Sequence, residues 1–270
     1  MRTGGDRTVT RCALAVTQAL LFWLGTMALL AIAGAFAGSG GRAILIVGAV
    51  TVPPTFAFTA LFIRWDQKRL RDYGFEFTRG SWGRFAGGLV LGSVLIATQT
   101  ALMLAGGGIR WVPASPKLAM LPLVAGYLLL ATREELAFRG FPLRRLASAI
   151  RPWPAQIIVA LLFIVEHRLG GSSWANAVIG SGMGALVFGM AALATKGLAF
   201  PIGLHAAWNV GDWARGTKGG GGLWNVLVEP GSSAHVQGVA MTSYVGVMAL
   251  AFAGLWLWYF RTRSAAKPIE

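Results

Sequence analysis

Glu134 and Glu135 are adjacent carboxylates close to the end of an apolar stretch, Leu118 to Thr132, a setting in which an unpaired charge costs several kcal/mol. The whole chain has ten acidic residues and three histidines, and two of those histidines, His167 and His205, also lie in apolar stretches. Ionisable groups kept in such surroundings point to chemistry inside a membrane. In the run Glu134-Glu135-Leu136-Ala137-Phe138-Arg139, helical spacing puts Glu135 and Arg139 four apart on one face, where they can pair. Glu134 is rotated by about 100° from that face. Arg139 can therefore neutralise one acid and leave the other facing a cavity, which separates two carboxylates into different roles. On its own the pair reads equally well as two acids snorkelling at a cytoplasmic helix end.

A second constellation is Phe163-Ile164-Val165-Glu166-His167, with Phe163 one helical turn before the histidine. Taken singly, an intramembrane histidine is more often a helix-helix hydrogen-bonding group than a reactive one. The third is His205-Ala206-Ala207-Trp208-Asn209, which presents an imidazole and a carboxamide from one helix face. Both can donate hydrogen bonds to a developing oxyanion. Glu166 beside His167 is an additional acid that could face lipid headgroups, pair with Arg168, or point inward and act on His167.

The elements that must carry these residues are membrane helices. Of 270 residues 55% are hydrophobic and 13% charged, against about 25% charged in soluble domains. A span needs about 20 apolar residues, and Cys12 to Gly41, Ala43 to Ile63 and Phe85 to Ile109 hold no charge at all. Further spans are expected at about 118–138, 154–168, 174–195, 198–213 and 239–260, with the active-site charges inside them. The expected fold is all-α: one membrane domain over 1–270 with about eight transmembrane helices and an intramembrane catalytic cavity.

With both termini inside, the cytoplasmic segments hold 17 of the 24 Lys and Arg residues and the outer segments six, with Arg133 left within a helix. That is the positive-inside bias. It accounts for the net charge of +14 without a nucleic-acid partner. Trp65, Trp82, Trp111, Trp153, Trp174 and Trp258 fall near span ends, as belt residues do. Ala35-Phe36-Ala37 resembles a signal-peptidase site, but the apolar run before it exceeds a signal core of about 7–15 residues, so helix 1 reads as an uncleaved anchor. The single Cys12 excludes an internal disulfide and any multi-cysteine metal site. Arg64 to Arg84 is expected along the membrane surface, and the Gly-rich segment Ala214 to Gly238 as a mobile outer loop.

At about 1.5 Å of rise per residue, Glu134 lies roughly 24 Å from the outer start of its helix, His205 roughly 10 Å from the cytoplasmic end of its own, and His167 somewhat deeper. The three are expected to converge on a cavity open to the cytoplasm.

In this order on separate helices, the motifs Glu134-Glu135…Arg139, Phe163…His167 and His205…Asn209 resemble the CPBP family of intramembrane proteases, also called the CAAX protease and bacteriocin-processing or Abi family. The Ras-converting CAAX endopeptidase belongs to it. Its signature is EExxxR, FxxxH and HxxxN or HxxxD, and the likeness covers about residues 118–213, the expected catalytic core. The resemblance implies an endopeptidase in which Glu134 activates a water held with His167, while His205 and Asn209 stabilise the tetrahedral intermediate. Glu135 and Arg139 would hold the helix geometry, with Phe163 in support. The implied partners are the lipid bilayer and a peptide or membrane-protein substrate; the implied location is the inner (cytoplasmic) membrane. Two histidines and a glutamate, Glu134, His167 and His205, are enough ligands for a catalytic zinc. There is no H-E-x-x-H helix, however, and a glutamate that ligates metal cannot also be the free base. The expected arrangement is thus free of cofactors, with zinc as the alternative. A catalytically silent family member acting as a scaffold or immunity protein is the rival function; a proton-relay transporter would need broken-helix repeats that are not found.

Overall fold

The computed structural model describes residues 4–115, 120–218 and 222–264. The expected helix start at 118, Arg2, Lys117, Lys267 and Gly219 to Gly221 of the glycine run lie outside the described residues. Nine helices follow in order among those described: α1 Gly4–Ala37, α2 Gly41–Trp65, α3 Arg79–Gly106, α4 Leu121–Glu135, α5 Pro142–Ile150, α6 Pro152–Leu169, α7 Gly182–Thr195, α8 Ala199–Ala214 and α9 Ser233–Ser264. Two wider π-helical turns, Leu136–Gly140 and Asn176–Ser181, extend α4 and lead into α7. Strands β1 Ile109–Pro113 and β2 Trp224–Val228 pair antiparallel, Ile109 opposite Val228, a departure from a purely helical chain. Five helices, counting the π turn with α7, are long and apolar enough to cross a membrane. The motif-bearing α4, α6 and α8 have 15, 18 and 16 residues and are packed among the others.

The molecule has two distinct ends. At one, which we call the basic end, the turn after α2, the short helix α5 and the start of α1 are tied together. Arg145 joins Asp66 at 3.0 Å and donates to Gln18 at 2.7 Å. Tyr73 donates to Asp66 at 2.5 Å and stacks on Phe141; burial, then that hydrogen bond, raises its hydroxyl pKa above the ordinary range. Arg64 to Arg84 is therefore partly tucked into the bundle, with Tyr73 buried, while Phe77 and Trp82 remain exposed. The opposite end, the strand end, carries β1, β2 and the turns 170–174 and 215–218.

The approach of α3 to α8 is set by small residues, as in membrane interfaces. A Cβ at Gly88 would collide with the Phe200 carbonyl, and one at Gly203 with the Phe85 carbonyl. Such contact holds α8, and with it His205 and Asn209, at a fixed height against α3. Of the expected belt tryptophans, Trp65, Trp82, Trp153, Trp174 and Trp258 are exposed. Trp111 instead donates its indole N–H to the Arg215 carbonyl at 2.7 Å, bracketing β1 to the end of α8.

Candidate active site

Glu134 and Glu135 are the last two residues of α4, and the π turn that follows carries Arg139. π turns are frequent at functional sites because they re-aim side chains within a helix. Arg139, fully buried, donates to Glu135 Oε1 at 3.1 Å and to the Ala185 carbonyl at 3.2 Å. Its guanidinium also sits over the Phe163 ring, 4.7 Å from the centroid. The expected Glu135–Arg139 pair is present, and it does more than neutralise a charge. The same Glu135 Oε1 lies 2.9 Å from His205 Nδ1, so Glu135 fixes the imidazole of a different helix.

That tether determines where the other ring nitrogen points. With Nδ1–H donated to Glu135, His205 Nε2 faces Glu134 Oε2 at 3.6 Å, too long for a direct hydrogen bond. Glu134 Oε2 is buried without a hydrogen-bond partner, and the side chain retains 16% exposure. An unmatched buried carboxylate oxygen is the kind of group that calls for a water, an ion or a catalytic role. The His205 ring stacks on Phe188 with centroids 4.2 Å apart and planes 17° apart, which leaves it little freedom to turn.

His167 is placed by its own helix. Its Nδ1 lies 2.9 Å from the Phe163 carbonyl, and its ring packs on Phe163 with centroids 4.3 Å apart. Nδ1 is thereby the donor and Nε2 the free acceptor. Among the described contacts no hydrogen bond joins His167 to Glu134. Asn209, one turn beyond His205, accepts a hydrogen bond from Lys218 Nζ at 2.6 Å through Oδ1, leaving its amide N–H groups as the available donors. Lys218 was not foreseeable as part of the site, because it sits in the glycine-rich segment after α8. Burial there lowers its pKa, while Glu134 and Asp212 oppose the shift. Over the described residues that segment is not the loose loop expected: it docks Lys218 on the site and then forms β2.

Of the options the sequence left open, Glu166 takes the inward one, but its partner is a residue that none of them named. It forms a buried ion pair with Arg133 Nη1, whose other nitrogen donates to the Thr26 carbonyl at 3.1 Å. Arg133 precedes Glu134 and Glu166 precedes His167, so this pair joins the two backbones whose next residues belong to the site.

Phe163, His167, His205, Asn209 and Lys218 line one cavity of about 440 Å³, together with Phe188, Trp208 and Tyr244. Glu134 is not in that wall; it reaches the cavity through His205. The rim is made by Ser172, Asn176, Thr217 and Gln237, all at the strand end. The cavity therefore opens at the strand end and not at the basic end, which the expectation took as its opening. His167 lies two residues from the strand-end terminus of α6. Toward the basic end the site is closed by the packed layer of Phe138, Leu143, Leu146, Val159 and Phe163.

The zinc alternative asks Glu134, His167 and His205 to point at one ion. Among the described residues no three His, Cys, Asp or Glu side chains are grouped to hold a metal. The nitrogens that remain are His205 Nε2, turned to Glu134, and His167 Nε2.

Residues 116–211 match the family described as Type II CAAX prenyl endopeptidase Rce1-like. The match spans all three motifs, over about a third of the chain, and supports the likeness to the CPBP/CAAX protease family. No curated protein matches the chain.

Proposed function

We propose that this chain is an eight-span intramembrane endopeptidase that hydrolyses a peptide bond with a water activated by Glu134. The observation that carries the reading is the unpartnered Glu134 Oε2 facing His205 Nε2 at 3.6 Å while Glu135 holds the opposite nitrogen. A water bridging that gap would sit within reach of a carboxylate base, which is the geometric requirement for general-base catalysis. His167, with its free Nε2 on the cavity wall, would share that water. The donors of Asn209, and of His205 when Nε2 carries a proton, would meet the oxyanion of the tetrahedral intermediate. The new amine leaves with the proton taken from the water, and Glu134 is restored as carboxylate.

In this mechanism Glu135 and Arg139 are positioning residues: one orients His205, the other neutralises the acid that does so. No metal is given a step. A silent scaffold would have no need to hold Glu134, Glu135, Arg139 and His205 in this mutual register. The test is Glu134→Gln, which removes the base and keeps the shape. It should abolish cleavage of a quenched-fluorescent peptide library in detergent while its melting temperature stays near wild type. Turnover by the variant at the wild-type rate would refute the assignment.

A further inference from the structure

We infer that the cavity draws its substrate from the non-cytoplasmic side of the membrane, so that the peptide cut is an extracytoplasmic segment of an exported or membrane-anchored protein rather than a cytosolic tail. The cutting rests on the peptidase reading above; the facing of the cavity does not. Two independent observations meet here. The first is geometric. His205, on the cavity wall, lies about 9 Å from the start of α8 at the basic end. The polar rim belongs to the turns 170–176 and 215–218 and the first turns of α9. No residue of the basic-end turns takes part. Between the cavity and those turns stands a packed layer with Phe138, Leu143 and Leu146 at 0–1% exposure, and the buried Arg139 beside it is committed to Glu135 and the Ala185 carbonyl.

The second observation is the charge distribution. Among the described residues the basic end holds 15 Lys and Arg residues in its connections and helix ends against five at the strand end, and such an excess marks the cytoplasmic face. Two cations are internally engaged at each end, Arg139 and Arg145 at the basic end and Arg215 and Lys218 at the strand end, so the excess stands. Arg215 is held by Asp212 and Gln99, both at 2.7 Å, and Lys218 by Asn209. A cavity that opens at the strand end of a bundle whose basic end is cytoplasmic opens away from the cytoplasm. The polar rim and the aromatic lining of Phe188, Trp208 and Tyr244 then meet chain that has already crossed the bilayer or is anchored beyond it.

The test is thiol labelling in intact cells, which needs no knowledge of the substrate. In a Cys12→Ala background, Asn176→Cys places a thiol on the cavity rim and Ser148→Cys one on exposed α5 at the basic end, with Ser172→Cys as a second rim reporter. An impermeant maleimide should label both rim variants in intact cells and Ser148→Cys only after permeabilisation. Labelling of Ser148→Cys in intact cells, or rim variants that stay unlabelled until permeabilisation, would overturn the proposal. Failure of the peptidase reading would show separately, as a wild-type protein without turnover whose labelling pattern is unchanged.

Discussion

At the scale of single residues the site is a chain of constraints that ends on Glu134 Oε2, buried without a hydrogen-bond partner. Arg139 fixes Glu135, Glu135 fixes His205 Nδ1, Phe188 fixes the ring plane, and Glu134 Oε2 is left to face Nε2. Pre-positioning of this kind lets a buried carboxylate act without reorganisation when the bond breaks. Asn209 is held in the same way by Lys218. Asn209→Ala should lower kcat by about 10²–10³-fold, the usual loss for one oxyanion donor, with KM little changed. Lys218→Met should lower kcat in the same direction but less, since the carboxamide stays and only its anchor goes. A raised KM with unchanged kcat in either variant would mean that these residues bind the ground state instead. The pairing of Glu135 with Arg139 was legible from their spacing. The tether of Glu135 to His205 was not, because two residues 70 apart in the chain carry no local signal of contact.

At the scale of elements, α4, α6 and α8 are short for membrane helices, and their placement depends on neighbours rather than on lipid. Small residues seat α8 on α3. The Arg133–Glu166 pair clamps α4 to α6 one residue before Glu134 and His167, with both side chains at most 6% exposed. Breaking a buried pair from one side typically costs about 3–5 kcal/mol. Arg133→Met and Glu166→Leu should therefore each lower stability and peptidase activity, and the double substitution should recover much of the stability because no buried charge is left alone. Additive losses in a double-mutant cycle would show that the two side chains do not depend on each other. Helix positions followed from runs of apolar residues: the expected 154–168, 174–195 and 198–213 correspond to α6, to the second π turn with α7, and to α8. The β1–β2 pair was hidden, since each strand is five residues long and its partner lies more than 100 residues away.

At the scale of the whole molecule, two gradients run along the bundle: basic residues gather at one end, and the polar-rimmed cavity opens at the other. The charge gradient is a property of composition and could be counted from the sequence. The direction of the cavity was not legible in the same way: the helix ends were foreseen to within two residues, with His167 beside the end of α6 in both cases, but which turns form the polar rim depends on how α6, α8 and α9 pack together. The account as a whole makes the reaction depend on Glu134 and water held by side chains, with His167 and His205 working as hydrogen-bonding groups. The most direct test is turnover by the purified wild-type protein after exhaustive chelation, with elemental analysis of the same sample. Full peptidase activity at a metal content far below stoichiometric, abolished in Glu134→Gln, is the predicted result. Activity lost on chelation and restored by stoichiometric zinc, with His167→Ala or His205→Ala no longer retaining the metal, would contradict it.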